Sequence, residues 1–341
     1  MVEQPARHVA TKEPTVSSAG SVLSWIMTPD RRKVVFAWVA VVILFAIGAV
    51  VRPGFASGSS ISTMLVLASF IGYVAAGQMF VILVGGIDLS IPWVLNAAAV
   101  VLTAVSLGSD DKAWLAVVAC LALGVIAGTI NGIGVAYFGI SAVVMTLGMN
   151  GIMQGAVLGL TNGMTCGVQC TSSAPPSVQD AVKGTPLGIP NDLILWLGVT
   201  VLVAVVLSAT VFGRRVYAVG NSERASFLAG INVKVVTVLL YALSGLFAAL
   251  AGITLTAYQG QPTLGMGEPF LMQSIAAVVI GGISVLGGRG LFLGAVAGAI
   301  TLTALVTLLQ ALSMPEYARN IMYGLVILAI LLLYGRERDT R

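Results

Sequence analysis

The chain has 341 residues and a net charge of +4, yet only 9% of its residues are charged, 58% are hydrophobic and its mean hydropathy is +1.01. Ordinary soluble chains are ~25% charged, so too few charges are present to cover a soluble surface, and a disordered chain is excluded because such chains are polar. What remains is an all-α, polytopic integral membrane protein, with apolar residues enough for roughly ten spans of ~20 residues.

Residues 1–33 form a polar tail with Pro5 and Pro14 that ends in Arg31-Arg32-Lys33. The apolar run that follows reads as a retained span rather than a signal peptide, because it gives way to Arg52-Pro53-Gly54 without a small-residue cleavage site. Spans are expected near 34–51, 62–84, 87–107, 113–137, 141–162, 193–212, 235–258, 269–286, 291–311 and 318–334, with a short tail at 335–341. Only Asp88 and Arg319 place a charge inside these spans. With the N-terminus in the cytoplasm, thirteen of the 17 Lys and Arg fall in inner segments and four in outer ones. That asymmetry orients the chain with both termini inside.

Two connections exceed a turn. Residues 163–192 face outside and carry four prolines, Cys166 and Cys170, which either form a disulfide or remain two thiols. Residues 213–234 face inside and are amphipathic, with Phe227, Leu228 and Ile231 among Arg214, Arg215, Glu223, Arg224 and Lys234. One or two short surface helices are expected there, with Asn221 or Ser222 as cap and Gly230 as terminator. An exposed apolar face suggests a docking site; a helix buried against its own spans or lipid headgroups is the alternative.

Enzymatic chemistry finds little support. The chain has one histidine, His8, and no GxxxxGK[ST], GxSxG or HExxH motif. No metal site or cofactor is expected, and nothing points to nucleic acid. Asp88, in Gly85-Gly86-Ile87-Asp88-Leu89-Ser90, reads either as a substrate or ion contact at a broken helix or as a capping residue at a tight turn near the inner face. The amides of Gln78, Asn96, Asn131, Asn150, Gln154, Gln273 and Gln310 suit either a hydroxyl-rich solute or interhelical hydrogen bonds. Glycines four residues apart (Gly124, Gly128 and Gly132; Gly290, Gly294 and Gly298; Gly155 and Gly159) mark helix-packing seams. A weak internal echo relates Val84–Asp88 to Ile280–Ser284.

Three stretches resemble the permease subunits of ribose-type ABC sugar importers: Gly85–Ser90, Gly220–Ile231 running into Tyr241–Leu246, and Ala276–Ser284 with Gly287-Gly288. The similarity runs from about 34 to 334 and implies a permease domain in a bacterial cell membrane. It implies a second permease copy, cytosolic ATPase subunits, and an extracytoplasmic binding protein that delivers a sugar or related polyhydroxylated solute. Gly220, Asn221, Glu223, Arg224, Ala225, Ala229, Gly230 and Ile231 match the loop that docks on the ATPase. Asp88 and Glu268 match acidic positions of the family and join Gln78, Asn96, Asn150 and Gln273 as candidates for the translocation path. Pro92-Trp93, after the Asp motif, departs from the ribose permease pattern, as does the Cys-containing outer loop. A secondary transporter driven by an ion gradient is the alternative, but it would call for ionisable residues near the midplane.

Overall fold

The structure is a computed structural model that describes residues 29–163, 173–186, 188–315 and 317, 318, 321, 324 and 325. The tail 1–28, the pair Cys166 and Cys170, most of the span expected at 318–334 and the tail 335–341 lie outside the described residues. Among the described residues every regular element is helical: α1 Pro29–Val51, α2 Gly58–Ile82, α3 Ile91–Ser106, α4 Ala113–Ala136, α5 Ala142–Thr161, α6 Pro176–Lys183, α7 Asn191–Ala209, α8 Val211–Asn221, α9 Glu223–Leu228, α10 Val233–Gln259, α11 Glu268–Ile280 and α12 Phe292–Ala311, with a single 3-10 turn at Asp110–Lys112.

Seven of these (α1, α2, α4, α5, α7, α10 and α12) are long and apolar enough to cross a membrane, while α3 and α11 are apolar but shorter. Two expected spans are therefore corrected. The one at 87–107 loses its first four residues to an extended segment, and the one at 269–286 ends at Ile280. Glycine and a following polar residue unwind both places. Gly85 at φ +78° and Gly282 at φ +80° adopt a conformation that costs a residue without Cβ nothing.

The two terminations share one hydrogen-bond pattern. Gly85 N donates to Ile82 O at 2.9 Å and Gly86 N to Val81 O at 3.1 Å; Gly282 N donates to Val279 O at 2.9 Å and Ile283 N to Val278 O at 3.2 Å. Each pair is a Schellman cap. The sequence echo is thus a repeated helix stop, but its structural register is shifted by one residue, pairing Gly85 with Gly282 rather than Gly281. In that register Asp88 has an apolar counterpart, Val285.

The centre of the bundle is α2, in which every residue from Ala68 to Leu83 is buried. A helix apolar on all sides belongs inside a bundle. The outer helices invert the usual arrangement: Phe36, Val42, Ile126, Val144, Leu197 and Leu202 are exposed, as a lipid-facing surface requires. Around α2 the helices pack by backbone approach. A Cβ at Gly124 or Gly128 would collide with the carbonyls of Gly245 and Tyr241 on α10, and one at Gly132 would press on Val238. Gly294 and Gly298 of α12 abut Gly281 O and Ala277 O in the same way. Gly290 is a correction: it lies before α12 with φ +130° and packs on Ile283, outside any helix face. Gly155 and Gly159 meet nothing within 4 Å among the described residues.

Hydrogen bonds gather the loops at two ends. The loops 83–90 and 281–290 and helices α8 and α9 share one end, where Gly288 N donates to Leu83 O at 2.8 Å. At the other, α6 (a helix the sequence reading did not foresee) caps the bundle: Ser177 N donates to Asp110 Oδ1 at 2.8 Å and Ala174 N to Gly260 O at 2.8 Å. Asp192, read from sequence as a loop charge, sits in the first turn of α7, buried, and accepts from Ser69 and Tyr73 of α2. The seams generate a prediction. Gly128→Ala should cost about 1–3 kcal/mol by overpacking, read by thermal unfolding in detergent, whereas Gly155→Ala should leave the isolated chain as stable or more so.

Candidate functional site

Three irregular segments lie against the helices, and polar side chains hold each of them. The first is 83–90. Asp88 is buried, and its carboxylate accepts from Ser90 N at 2.9 Å, Ser90 Oγ at 2.6 Å and Ser244 Oγ on α10 at 2.7 Å. The Gln78 amide, oriented to satisfy both partners, donates to Asp88 O at 3.1 Å and accepts from Asp88 N at 3.3 Å. Asn131 of α4 donates to Ser90 Oγ at 2.9 Å, and Leu89 N donates to Thr146 Oγ1 of α5 at 3.0 Å. Gln78 and Thr146 each stand four residues inside their helix ends, a depth of about 6 Å at 1.5 Å per residue. Asp88 is therefore enclosed below the helix ends rather than set in a surface turn. Ser90 occupies the position before α3, but its hydroxyl serves Asp88 instead of capping the helix.

The second segment is 260–267, between α10 and α11. Asn96 of α3 is buried, donates to Thr263 O at 3.0 Å and accepts from Gly265 N at 3.0 Å. Gly267 abuts Pro92 O at the start of α3. With 13 residues, α11 is about 20 Å long, short of the ~30 Å hydrocarbon core. It runs toward the end that holds loop 281–290, so its first residue, Glu268, stands part-way down the bundle. Glu268 is exposed there, as are Gln261, Thr263 and Met272. Of the path candidates, Gln78, Asp88 and Asn96 are thus buried in packed protein, Asn150 and Gln273 are half-buried, and Glu268 alone is exposed.

The third segment is the elbow α8–α9 with loop 281–290 beneath it. Ser222 Oγ accepts from Ala225 N at 3.2 Å and caps α9; Gly230, at φ +80°, ends it, with Ile231 N donating to Ser226 O at 3.0 Å. Within this short hairpin Glu223, Arg224, Ala225, Ala229 and Gly230 are exposed and Ile231 is half-buried. Phe227 and Leu228 are 71% and 78% exposed, well beyond what a helix packed on its own bundle shows. Beside them an open cleft of about 740 Å³ runs between α9 and the adjoining ends of α4 and α10, lined by Val135, Ala136, Arg224, Phe227, Lys234 and Thr237. Lys234 Nζ lies 5.0 Å from the Tyr137 ring centroid at its edge.

Residues 60–331 match the family described as the permease component of branched-chain amino acid transport systems. The chain belongs to this permease family. It is similar to the ribose import permease RbsC of Escherichia coli K12, 34% identical over 304 residues, covering 88% of this chain and 93% of the relative. It is also similar to the autoinducer 2 import permease LsrC of Escherichia coli K12/DH10B, 33% identical over 311 residues, covering 91% and 89%. The ribose import permease of Haemophilus influenzae is 33% identical over 299 residues, covering 87% and 91%. No solved structure matches.

For a membrane permease, the sealed setting of Asp88 is informative. The carboxylate takes three donors, none of them a cation: two from Ser90 in its own loop and one from Ser244 on α10. The sequence reading gave no role to Ser244, Thr146 or Tyr217, although Ser244 lies in the Tyr241–Leu246 stretch it singled out. Asp88→Ala leaves three buried donors unpaired at about 1–3 kcal/mol each. It should abolish a stable fold in detergent, while Asp88→Asn, which keeps one acceptor, should retain a cooperative transition at a lower Tm.

Proposed function

We propose that this chain is the membrane-spanning permease of an ATP-binding-cassette importer for a sugar or related polyhydroxylated solute. The observation that carries the reading is the elbow: Phe227 and Leu228 stand out beside an open cleft, on a hairpin whose other side is hydrogen-bonded to the bundle. Hydrophobic side chains exposed above charged ones at a membrane surface call for a protein partner. The relatives are named as import permeases for ribose and for autoinducer 2. In this reading the chain has ten spans, the elbow faces the cytoplasm with both termini, and an ATPase subunit docks on Gly220–Ile231.

The opposite end, covered by α6, would receive the binding protein. Glu268 and the irregular stretch 260–267 would line the passage, because non-helical backbone and a carboxylate at membrane depth are tolerated only against protein or water. Gly148, Gly151, Gly155 and Gly159 of α5 meet nothing among the described residues and would face a second permease copy. ATP binding and hydrolysis would bias two conformations of that pair, since a permease moves solute only if its partner favours one state over the other.

The test is uptake by proteoliposomes that hold the chain with its ATPase and binding protein, across a panel of sugars and polyols. Import should require ATP and the binding protein. Ala229→Asp should insert normally but lower ATPase capture by at least about ten-fold, since a desolvated unpaired charge at such a contact costs several kcal/mol. Glu268→Ala should instead lower import while ATPase capture stays unchanged.

A further inference from the structure

The elbow is joined to the bundle by more than its chain connections. At the end of α8 three segments converge: α8 itself, the start of loop 83–90, and loop 281–290. Asn221 Nδ2 donates to Gly288 O at 3.0 Å and to Tyr217 O at 2.7 Å. Tyr217 OH donates to Gly290 O at 2.7 Å, and Gly288 N donates to Leu83 O at 2.8 Å. A Cβ at Gly220 would collide with Leu83 O, and one at Gly287 would lie 2.8 Å from the same carbonyl. At Gly220 and Gly287 backbone therefore meets the Leu83 backbone directly, while the Asn221 and Tyr217 side chains bridge α8 to Gly288 and Gly290.

Both loops lead from the junction into the bundle. Loop 83–90 carries Asp88, which accepts from Ser244 on α10. Loop 281–290 joins α11, which carries Glu268 at its far end, to α12. By chain connection alone, movement of α9 reaches only α8 and α10. The junction adds the routes to α2, α3, α11 and α12.

We propose that Asn221 and Tyr217 are positioning residues that tie the α8–α9 elbow to loop 281–290, and through the Gly288 N–Leu83 O bond to loop 83–90, so that one displacement of the elbow moves both loops together. This deepens the importer reading and rests on it: the ATPase pushes the elbow, and the tie passes the push to the segments that flank the passage. Packed backbones of this kind shift as a unit rather than deform.

The test uses the full complex of permease, ATPase and binding protein in proteoliposomes, and reads solute imported per ATP hydrolysed. ATPase capture is measured beside that ratio, so that loss of docking and loss of the tie are told apart, and at unchanged capture a merely structural loss leaves the ratio where it was. Asn221→Ala should lower it by roughly three- to thirty-fold, the range seen when coupling is altered without touching either ligand. Tyr217→Phe keeps the ring and the fold and should lower the ratio less. Asn221→Gln, which retains an amide donor, should recover part of the loss. Wild-type ratios in both Asn221→Ala and Tyr217→Phe overturn the tie. Import by the wild-type chain without any ATPase overturns the reading of the elbow, and the tie with it.

Discussion

Backbone that leaves the helix inside apolar protein frees N–H and C=O groups that have no water to turn to. Each must be paired, or it costs kilocalories. Three irregular segments among the described residues are bonded in this way by polar side chains, chief among them Asp88 for 83–90, Asn96 for 260–267 and Asn221 for 281–290. Each of the three also reaches across to another element. The polar residues that stand out in so apolar a sequence are therefore the fasteners of its irregular segments, and those segments connect the elbow at one end to Glu268 in the interior.

Glycine supplies the second half of the arrangement. Where Gly124, Gly128, Gly294 and Gly298 face a neighbouring helix, the backbones approach closely enough that dispersion contacts replace the hydrophobic drive that lipid removes. Where Gly220, Gly287 and Gly288 meet Leu83, the same lack of side chains makes a stiff junction at the foot of the elbow. The glycines of α5 are different, since they meet nothing among the described residues.

Much of this was legible because the physics is local. Long apolar runs, the capped hairpin around Ser222 and Gly230, and the seams at Gly124–Gly132 and Gly294–Gly298 each follow from residue type and spacing. The breaks were harder to read. Hydropathy sees 87–90 and 281–286 as continuous with their apolar neighbours, so it starts one span before α3 begins at Ile91 and carries the other past Ile280, where α11 stops. Spacing placed Gly290 on a helix face, but four-residue periodicity has no meaning outside a helix. Asp88 allowed two readings because its partner, Ser244, is 156 residues away and only the fold brings them together. Asp192 was counted as a loop charge because nothing near it in sequence announces Ser69 and Tyr73.

The account turns on Asp88 acting as a fastener between loop 83–90 and α10. A double-mutant cycle with Asp88→Asn and Ser244→Ala, read by thermal unfolding in detergent, measures that link directly. A charge-assisted hydrogen bond between buried partners predicts a coupling energy of about 1–3 kcal/mol. Effects that add to within ~0.3–0.5 kcal/mol would show that the two residues do not hold each other, and would contradict the account.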